Sequence, residues 1–320
     1  MTDKHCSPVA LISLIRSIKL WVKMLALSSI ISRIISRFKN EVIYGGHITA
    51  LIGPSLVLIS IIILELPLNY YSLMVAYLIP LLVYSYNYQK ELDIDEMTNS
   101  DKTHYLYERN RVFPLLFYTY LILTVVLSIM INSLSFLLFL AIIFTGGILY
   151  TVIFKRLASI VPAFKNIFST AVWAYSGTFF NIFLYSLTLD AMFLFLFIFI
   201  YIKILINNIF FDIKDIATDK NEGLMTIPIL LGKKNTYYFL TFLNLAALIL
   251  LIYSVYTNVV PLYTLSLGIF FPYTQYYLIK GNTTAGKDLL NYTYIMSDAE
   301  FIFWPIALFM GKIIMNVMIF

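Results

Sequence analysis

Apolar windows long enough to cross a lipid bilayer recur along the whole chain, and this feature restricts the possible folds more than any other. A spanning helix needs about 20 mostly apolar residues. Windows of that size fall at roughly 47–66, 68–87, 112–132, 134–154, 162–185, 189–208, 236–256, 260–280 and 299–319. These windows predict an all-α, polytopic membrane protein with about nine transmembrane helices.

The composition excludes a water-soluble fold. Of the 320 residues, 61% are hydrophobic and 12% are charged, whereas a soluble domain has about 45–50% apolar and about 25% charged residues. The chain leaves no polar stretch of domain length that would form a soluble enzyme beside a single anchor. A single cysteine, Cys6, excludes a disulfide framework. The three histidines are scattered along the chain, which argues against a haem or zinc site.

The basic residues predict the orientation in the membrane. If the N-terminus is cytoplasmic, the N-terminal segment, the loops after the even-numbered spans and the adjoining span ends hold all of the 22 Lys and Arg residues except Lys312. The loops on the opposite side have no Lys or Arg. Because cytoplasmic loops carry an excess of basic residues, we expect the N-terminus and the even-numbered loops in the cytoplasm.

Residues 1–46 form a separate segment ahead of a membrane domain at 47–320. Between residues 8 and 40, basic side chains recur at intervals of helical turns among Leu, Ile and Val; they are Arg16, Lys19, Lys23, Arg33 and Arg37. This pattern predicts an amphipathic helix that lies on the cytoplasmic interface, with its basic stripe facing lipid headgroups. The alternative interpretation is a helix that covers an entrance for substrate.

Two groups of oxygen-bearing side chains follow even-numbered spans on the same side of the membrane. The first comprises Asn87, Glu91 and Asp95, and the second comprises Asp212, Asp215 and Asp219. Their spacings of three and four residues place each group on one face if the helix continues. The structural alternative is a solvated charged loop whose acids pair with a local lysine such as Lys90 or Lys214.

Two facing rows of oxygen ligands at one mouth of a helical bundle suit Mg²⁺. This ion prefers oxygen ligands, keeps several waters and is typically bound through one or two carboxylates together with substrate phosphates. The sequence therefore predicts a diphosphate bridged by Mg²⁺ as the ligand of this end of the bundle.

The two groups resemble the motifs of the UbiA superfamily of intramembrane prenyltransferases, NxxxDxxxD after helix two and DxxxD after helix six. The matching residues are Asn87, Glu91 and Asp95 in the first motif, Asp215 and Asp219 in the second, and Gly223, Thr226, Pro228 and Gly232 in the segment that follows it. Tyr150 and Lys155 stand where the family has a tyrosine and a basic residue at the end of helix four. Two departures are Glu91 in place of aspartate and the absence of the Arg-Pro that often follows the first motif.

The resemblance implies a UbiA-like bundle with its active-site opening on the cytoplasmic side. It also implies Mg²⁺-dependent transfer of an isoprenoid chain from a prenyl diphosphate to a lipophilic acceptor, either aromatic or lipid. By this assignment Asn87, Glu91, Asp95, Asp212, Asp215 and Asp219 bind Mg²⁺, Tyr150 and Lys155 act at the diphosphate, and Arg156, Lys203 and Asn166 contact substrate. Membrane lipid is the expected surrounding, with no nucleic acid and no obligate protein partner.

Several interpretations stay open at this stage. A UbiA-type terpene cyclase would use the same acidic motifs without an acceptor, and a cation-coupled transporter is a more distant alternative. Lys203 either contacts substrate or snorkels toward the interface. Asp298 and Glu300 at the start of span nine are expected to be an interfacial charge pair, with a role on the acceptor side as the alternative.

Overall fold

The computed structural model of the protein describes residues 28–90, 100–149 and 155–318, and within these ranges it is helical with no strand. In chain order the helices are α1 (28–44), α2 (His47–Ala50), α3 (Ile52–Leu64), α4 (Tyr70–Lys90), α5 (Ser100–Arg109), α6 (Phe113–Ile131), α7 (Leu134–Leu149), α8 (Lys155–Leu157), α9 (Phe164–Tyr185), α10 (Ala191–Lys214), α11 (Ile216–Asn221), α12 (Ile227–Tyr256), α13 (Phe270–Thr283), α14 (Gly286–Asn291) and α15 (Ser297–Met318). A 3₁₀ segment at Leu262–Ile269 precedes α13, and a π-helical turn at Tyr292–Met296 precedes α15.

Six helical stretches are long and apolar enough to cross a membrane, which confirms a multi-pass, all-helical membrane protein. They are His47–Leu64, Phe113–Ile131, Phe164–Tyr185, Ala191–Lys214, Ile227–Tyr256 and Asp288–Met318. The other three predicted windows fall on α4, on the 16-residue α7 and on the 3₁₀ segment with α13. The total of nine transmembrane helices therefore stays a prediction.

The ends of the helices follow from their local sequence. Asp190 caps α10 because its Oδ1 accepts hydrogen bonds from the backbone N–H groups of Met192 and Phe193, at 3.0 and 3.1 Å. Gly232 interrupts α12 near its start with a φ of 74°, a conformation that glycine adopts without a steric cost.

The core is centred on α10, the most buried of the six candidate spans. It packs against α9 and α12, while α3 packs against α15. Leu56 of α3, Phe199 of α10 and Trp304 of α15 meet in one apolar cluster and are nearly or fully buried. Because α10 is held on several sides, the acidic residues at its C-terminal end have fixed positions.

Two further features bear on the predicted membrane topology. Residues 28–39 of α1 are all exposed, and among them Ile30, Ile34 and Phe38 recur at intervals of four residues. At the other end of the bundle, the Lys312 ammonium in α15 lies 2.6 Å from the Glu65 carboxylate that follows α3. This ion pair favours a structural role for Lys312.

Candidate functional site

A polar cavity of about 350 Å³ lies at the C-terminal end of α10. Parts of α2, α4, α5, α9, α10 and the chain that enters α15 form its wall. The charged and amide side chains that line it are Asn87, Lys102, Lys165, Asn207, Asn208, Asp212, Lys214, Asp215 and Asp298. The cavity therefore brings together residues of the first motif, the second motif and four other parts of the chain.

The second motif does not continue as one helix. Helix α10 ends at Lys214, Asp215 is its C-cap, and the short α11 begins at Ile216. Asp212 and Asp219 nevertheless converge on one ammonium group, that of Lys165 in α9. The distances from Lys165 Nζ are 2.8 Å to Asp212 Oδ1, and 3.1 and 3.2 Å to the two oxygens of Asp219.

Asp215 is paired separately from the other two acids of the motif. Its Oδ2 lies 2.5 Å from the Lys214 ammonium. That ammonium also lies 4.9 Å from the ring centre of Phe211 and 5.0 Å from that of Tyr294. The Lys214–Asp215 pair expected for a solvated charged loop is thus present. The segment is nevertheless not a solvated loop, because Asp212 and Asp219 are both buried.

Lys165 was not predicted from the sequence. Its position at the first turn of span five, next to Asn166 and among the basic residues of the same side, was the available signal. Sequence alone does not show which of several basic residues meets an acidic motif about 50 residues away along the chain, because that pairing depends on how α9 packs against α10.

Asn166, predicted to bind substrate, lies behind the cavity. Its Nδ2 donates a hydrogen bond to Asp212 Oδ2 at 2.7 Å, and its Oδ1 accepts one from the Ile227 N–H at 3.0 Å. The side chain is 1% exposed. Asn166 therefore positions Asp212 against the start of α12, and it is not among the residues that line the cavity.

The remaining predicted residues fall into three groups. Asn87 lines the cavity, as expected from the first motif. Arg156 is exposed, and it is not among the residues that line the cavity. Glu91, Asp95, Tyr150 and the side chain of Lys155 lie outside the described residues, so their roles stay predictions.

Lys203 is buried in an ion pair away from the polar cavity. Its ammonium lies 2.6 Å from Glu300 Oε1 and donates hydrogen bonds to Thr274 Oγ1 at 2.7 Å and Asn244 Oδ1 at 3.1 Å. Lys203 is 3% exposed, so it does not snorkel to the interface. This geometry favours a structural role over the predicted contact with substrate.

The expectation of an interfacial pair at Asp298 and Glu300 is wrong, because both side chains are fully buried. Asp298 lines the polar cavity and accepts hydrogen bonds from Thr49 Oγ1 at 2.6 Å and from Asn207 Nδ2 at 2.9 Å. Span nine starts earlier than its apolar window indicated, since helical chain continues back to Gly286. The two acids therefore lie inside the bundle.

The carboxylates of the second motif lie close enough to repel one another, which favours a bound cation. Burial raises the pKa of Asp219 to about 6; Lys165 opposes this shift, and the carboxylates of Asp212 and Asp215 add to it. Within the described ranges, no three His, Cys, Asp or Glu side chains come together as a complete metal cage. Fewer than three such side chains are enough for an ion such as Mg²⁺, which is bound through one or two carboxylates and takes its other ligands from water and phosphate.

An apolar pocket of about 110 Å³ adjoins the polar cavity. Tyr84 and Trp173 line both spaces, so the pocket continues from the polar cavity into the bundle. The pocket lies among α3, α4, α7 and α9. At Gly177 a methyl group would come within 2.7 Å of Leu56 Cδ1, which shows how closely α9 and α3 approach beside it.

The comparisons with known proteins agree with this geometry. The model of the UbiA prenyltransferase family matches residues 109–313, more than half of the chain. The chain belongs to the UbiA prenyltransferase family. This membership confirms the resemblance that the motifs carry and the prediction of a prenyltransferase. The matched range includes the second motif and begins after the first. Among curated proteins, none matches the sequence.

Solved structures of UbiA proteins share the fold at low sequence identity. A UbiA homologue from Aeropyrum pernix K1 is 14% identical with a TM-score of 0.60, over 83% of this chain and 97% of the other. A homologue from Archaeoglobus fulgidus, bound to DMAPP and Mg²⁺, is 15% identical with a TM-score of 0.57, over 84% and 98%. A digeranylgeranylglyceryl phosphate synthase is 20% identical with a TM-score of 0.52, over 86% and 98%. These likenesses establish a UbiA-like bundle.

Proposed function

We propose that this UbiA family member is a Mg²⁺-dependent intramembrane enzyme that transfers an isoprenoid chain from a prenyl diphosphate to a lipophilic acceptor. The observation that carries the proposal is the junction of a charged cavity with an apolar pocket at Tyr84 and Trp173. A prenyl diphosphate has one strongly anionic end and one hydrocarbon end, and the two spaces match this division.

In the proposed site the oxygen donors face the diphosphate end of the substrate. Asn87, Asp212 and Asp215 line the cavity and would hold Mg²⁺, with Glu91, Asp95 and Asp219 as the further predicted ligands. Bound Mg²⁺ would neutralise charge that develops on the leaving diphosphate. Support comes from the two Archaeoglobus fulgidus structures, which hold Mg²⁺ together with DMAPP or GPP.

Three lysines contribute positive charge to the same cavity. Lys102, Lys165 and Lys214 enter from α5, α9 and α10. They stabilise the leaving diphosphate because fixed positive charges in a site with little water interact strongly with developing negative charge. Lys155 and Arg156 remain predicted contacts of the diphosphate, with Tyr150 as a predicted hydrogen-bond donor. The proposal assigns no contact with the diphosphate to Lys203.

The apolar pocket would accept the hydrocarbon chain and keep water from the allylic cation. Its wall includes Val57, Phe139 and Phe180 together with the shared Trp173. Aromatic faces attract cations, so Trp173 and Tyr84 at the junction are placed to stabilise positive charge near the broken bond. The acceptor then attacks the allylic carbon in a space that water does not fill.

For the topology, we propose that the N-terminus and the opening of the polar cavity face the cytoplasm. The basic side chains Arg33 and Arg37 lie four residues apart on α1, whose apolar side chains are also exposed. A helix with this surface suits the boundary between headgroups and acyl chains. The described part of the N-terminal segment, residues 28–46, is accordingly proposed to lie on the cytoplasmic face of the membrane, and the rest of the predicted amphipathic helix lies outside the described residues.

The proposal is tested with the purified full chain, Mg²⁺ and prenyl diphosphates of several lengths, by measuring released diphosphate and lipid products. We expect diphosphate release that requires Mg²⁺ and a prenylated acceptor among the products. Release that gives only a hydrocarbon or alcohol across a panel of acceptors would establish the cyclase alternative. Absence of any Mg²⁺-dependent release across chain lengths and acceptors would contradict an enzyme of either kind.

A further inference from the structure

The ammonium group of Lys165 occupies most of the carboxylate oxygens that the second motif could offer to a metal ion. It lies 2.8 Å from Asp212 Oδ1, and 3.1 and 3.2 Å from the two oxygens of Asp219. The remaining oxygen, Asp212 Oδ2, accepts a hydrogen bond from Asn166 at 2.7 Å. Every carboxylate oxygen of these two acids therefore already has a partner within the protein.

Asp219 meets the polar cavity through Lys165. Lys165 and Asp212 line the cavity, whereas Asp219 is not among the described residues that line it. The side chain of Asp219 is 6% exposed and that of Lys165 is 26% exposed. A cation bound by both Asp212 and Asp219 would need the place that the Lys165 ammonium takes, so the lysine and the metal compete for the same carboxylates.

The Lys165 side chain is suited to an exchange of partners. A lysine carries a compact charge at the end of a flexible stem, so its ammonium can move while its backbone stays in place. The backbone of Lys165 is fixed because it is the second residue of the long helix α9. Its side chain borders a cavity of about 350 Å³. The ammonium can therefore turn from the two carboxylates into the cavity without a change in the helix.

This movement is favourable only when a diphosphate is present. Separating a buried ion pair leaves both charges uncompensated, which is strongly unfavourable. A diphosphate in the cavity gives the Lys165 ammonium a new anionic partner, so the lysine loses no compensation when it leaves the carboxylates. Without a diphosphate, a divalent cation would also be repelled by the other two lysines that line the cavity, Lys102 and Lys214.

We propose that Lys165 is an internal competitor of the metal, which holds Asp212 and Asp219 until a diphosphate enters the cavity and then moves its ammonium to the diphosphate. This inference rests on the proposed Mg²⁺-dependent reaction and adds an order of binding to it. The metal alone should bind weakly, and metal and diphosphate should bind together. The exchange breaks no covalent bond, so it is measurable without turnover.

The test measures two binding affinities of the purified full chain in detergent. The first is the affinity for Mn²⁺ alone, a paramagnetic substitute for Mg²⁺ whose unbound fraction is measured by electron paramagnetic resonance. The second is the affinity for the Mn²⁺ complex of methylene diphosphonate, an unreactive diphosphate analogue, measured by calorimetry. The variants are Lys165→Met, Lys165→Gln and Lys165→Arg. The matched control is Lys220→Met, which removes an exposed lysine next to Asp219 in α11.

We expect Lys165→Met and Lys165→Gln to bind Mn²⁺ alone about tenfold more tightly than the wild type, because the carboxylates lose their competing cation. The diphosphonate complex should bind to them within about threefold of the wild type, because the lost competition and the lost contact with diphosphonate offset each other. Lys165→Arg keeps the charge and should keep weak binding of Mn²⁺ alone. Lys220→Met should change both affinities by less than about twofold, because exposed charges are screened.

A wild-type chain that binds Mn²⁺ alone as tightly as the diphosphonate complex would overturn the inference, and this result does not depend on the folding of any variant. Unchanged Mn²⁺ binding in both neutral variants, with weaker binding of the complex, would show a simple diphosphate contact and overturn the competition. Equal tightening of both affinities would overturn the movement to diphosphate.

Mg²⁺-dependent diphosphate release is measured on the same wild-type preparation. Release that persists when the exchange fails leaves the proposed function standing while the inference falls. If the wild type and all variants bind neither Mn²⁺ nor the complex, the metal assignment of the proposed function is contradicted together with the inference.

Discussion

The buried ion pair of Lys203 and Glu300 leads to a quantitative prediction about the free energy of unfolding. Lys203 lies in α10 and Glu300 in α15, with 2.6 Å between Nζ and Oε1. Thr274 Oγ1 and Tyr277 OH, at 2.7 and 3.0 Å, surround the second oxygen of Glu300. Since the Lys203 ammonium also donates to Asn244 of α12, the pair joins four helices through one network, and both charges are almost completely removed from solvent.

Removing one partner leaves the other as an uncompensated buried charge, which typically costs about 3–5 kcal/mol. Lys203→Met and Glu300→Leu should each lower the free energy of unfolding by an amount in this range. The double variant Lys203→Met with Glu300→Leu buries no charge and fills similar volume, so it should recover most of the loss. The coupling between the two sites is then several kcal/mol, well above the additive expectation for independent residues.

The free energy of unfolding is measured by titrating the detergent-solubilised protein with a denaturing detergent, for the wild type, both single variants and the double variant. The KM for prenyl diphosphate is measured on the same double variant. Additive losses, with the double variant as unstable as the sum of the singles, would refute the structural interpretation of this pair. A KM raised tenfold or more in a stable double variant would restore the predicted role of Lys203 in substrate binding.

Three further predictions concern the proposed site. Asp215→Asn or Asp219→Asn should abolish diphosphate release while membrane insertion, measured by fractionation, stays intact; retained activity in both variants would contradict the metal assignment. The apparent affinity for Mg²⁺ should fall as the pH is lowered through about 6, because Asp219 then gains a proton. Without Mg²⁺, Asp219 binds this proton more tightly in the folded state than in the unfolded state. The free energy of unfolding should therefore fall as the pH rises from about 4 to 6. Gly177→Val should reduce activity with geranyl diphosphate more than with dimethylallyl diphosphate, because the new side chain meets Leu56 beside the apolar pocket. An equal loss of product with both substrates would refute the location of the hydrocarbon chain in this pocket.

The fold can be predicted from the sequence because apolar windows of about 20 residues cross a bilayer as helices. A chain in lipid must satisfy its backbone hydrogen bonds internally, so long apolar windows such as 189–208 become helices whatever their neighbours. The same argument does not give the ends. Helix α10 continues six residues beyond its window to Lys214, since the polar residues that follow line a cavity within the protein.

The candidate site was partly predictable for a different reason. Asp212, Asp215 and Asp219 stand close together in sequence, so their spacing alone indicates a shared ligand. Lys165 meets two of them from another helix, and no local pattern specifies that contact. Asn166 is predicted from the sequence to contact substrate, but its contact with the Ile227 N–H shows a positioning function that only the packed structure reveals.

Asp298 and Glu300 show why a sequence pattern at the end of a span can mislead. Because they are two residues apart on a helix, their side chains point in directions about 160° apart around the axis, so they cannot act as one charge pair. Glu300 faces Lys203 and is neutralised by it, whereas the hydrogen bonds that Asp298 accepts come from the neutral side chains of Thr49 and Asn207. Two acids half a turn apart on α15 therefore lie in different environments: Glu300 completes an ion pair in the core, and Asp298 forms part of the wall of the polar cavity.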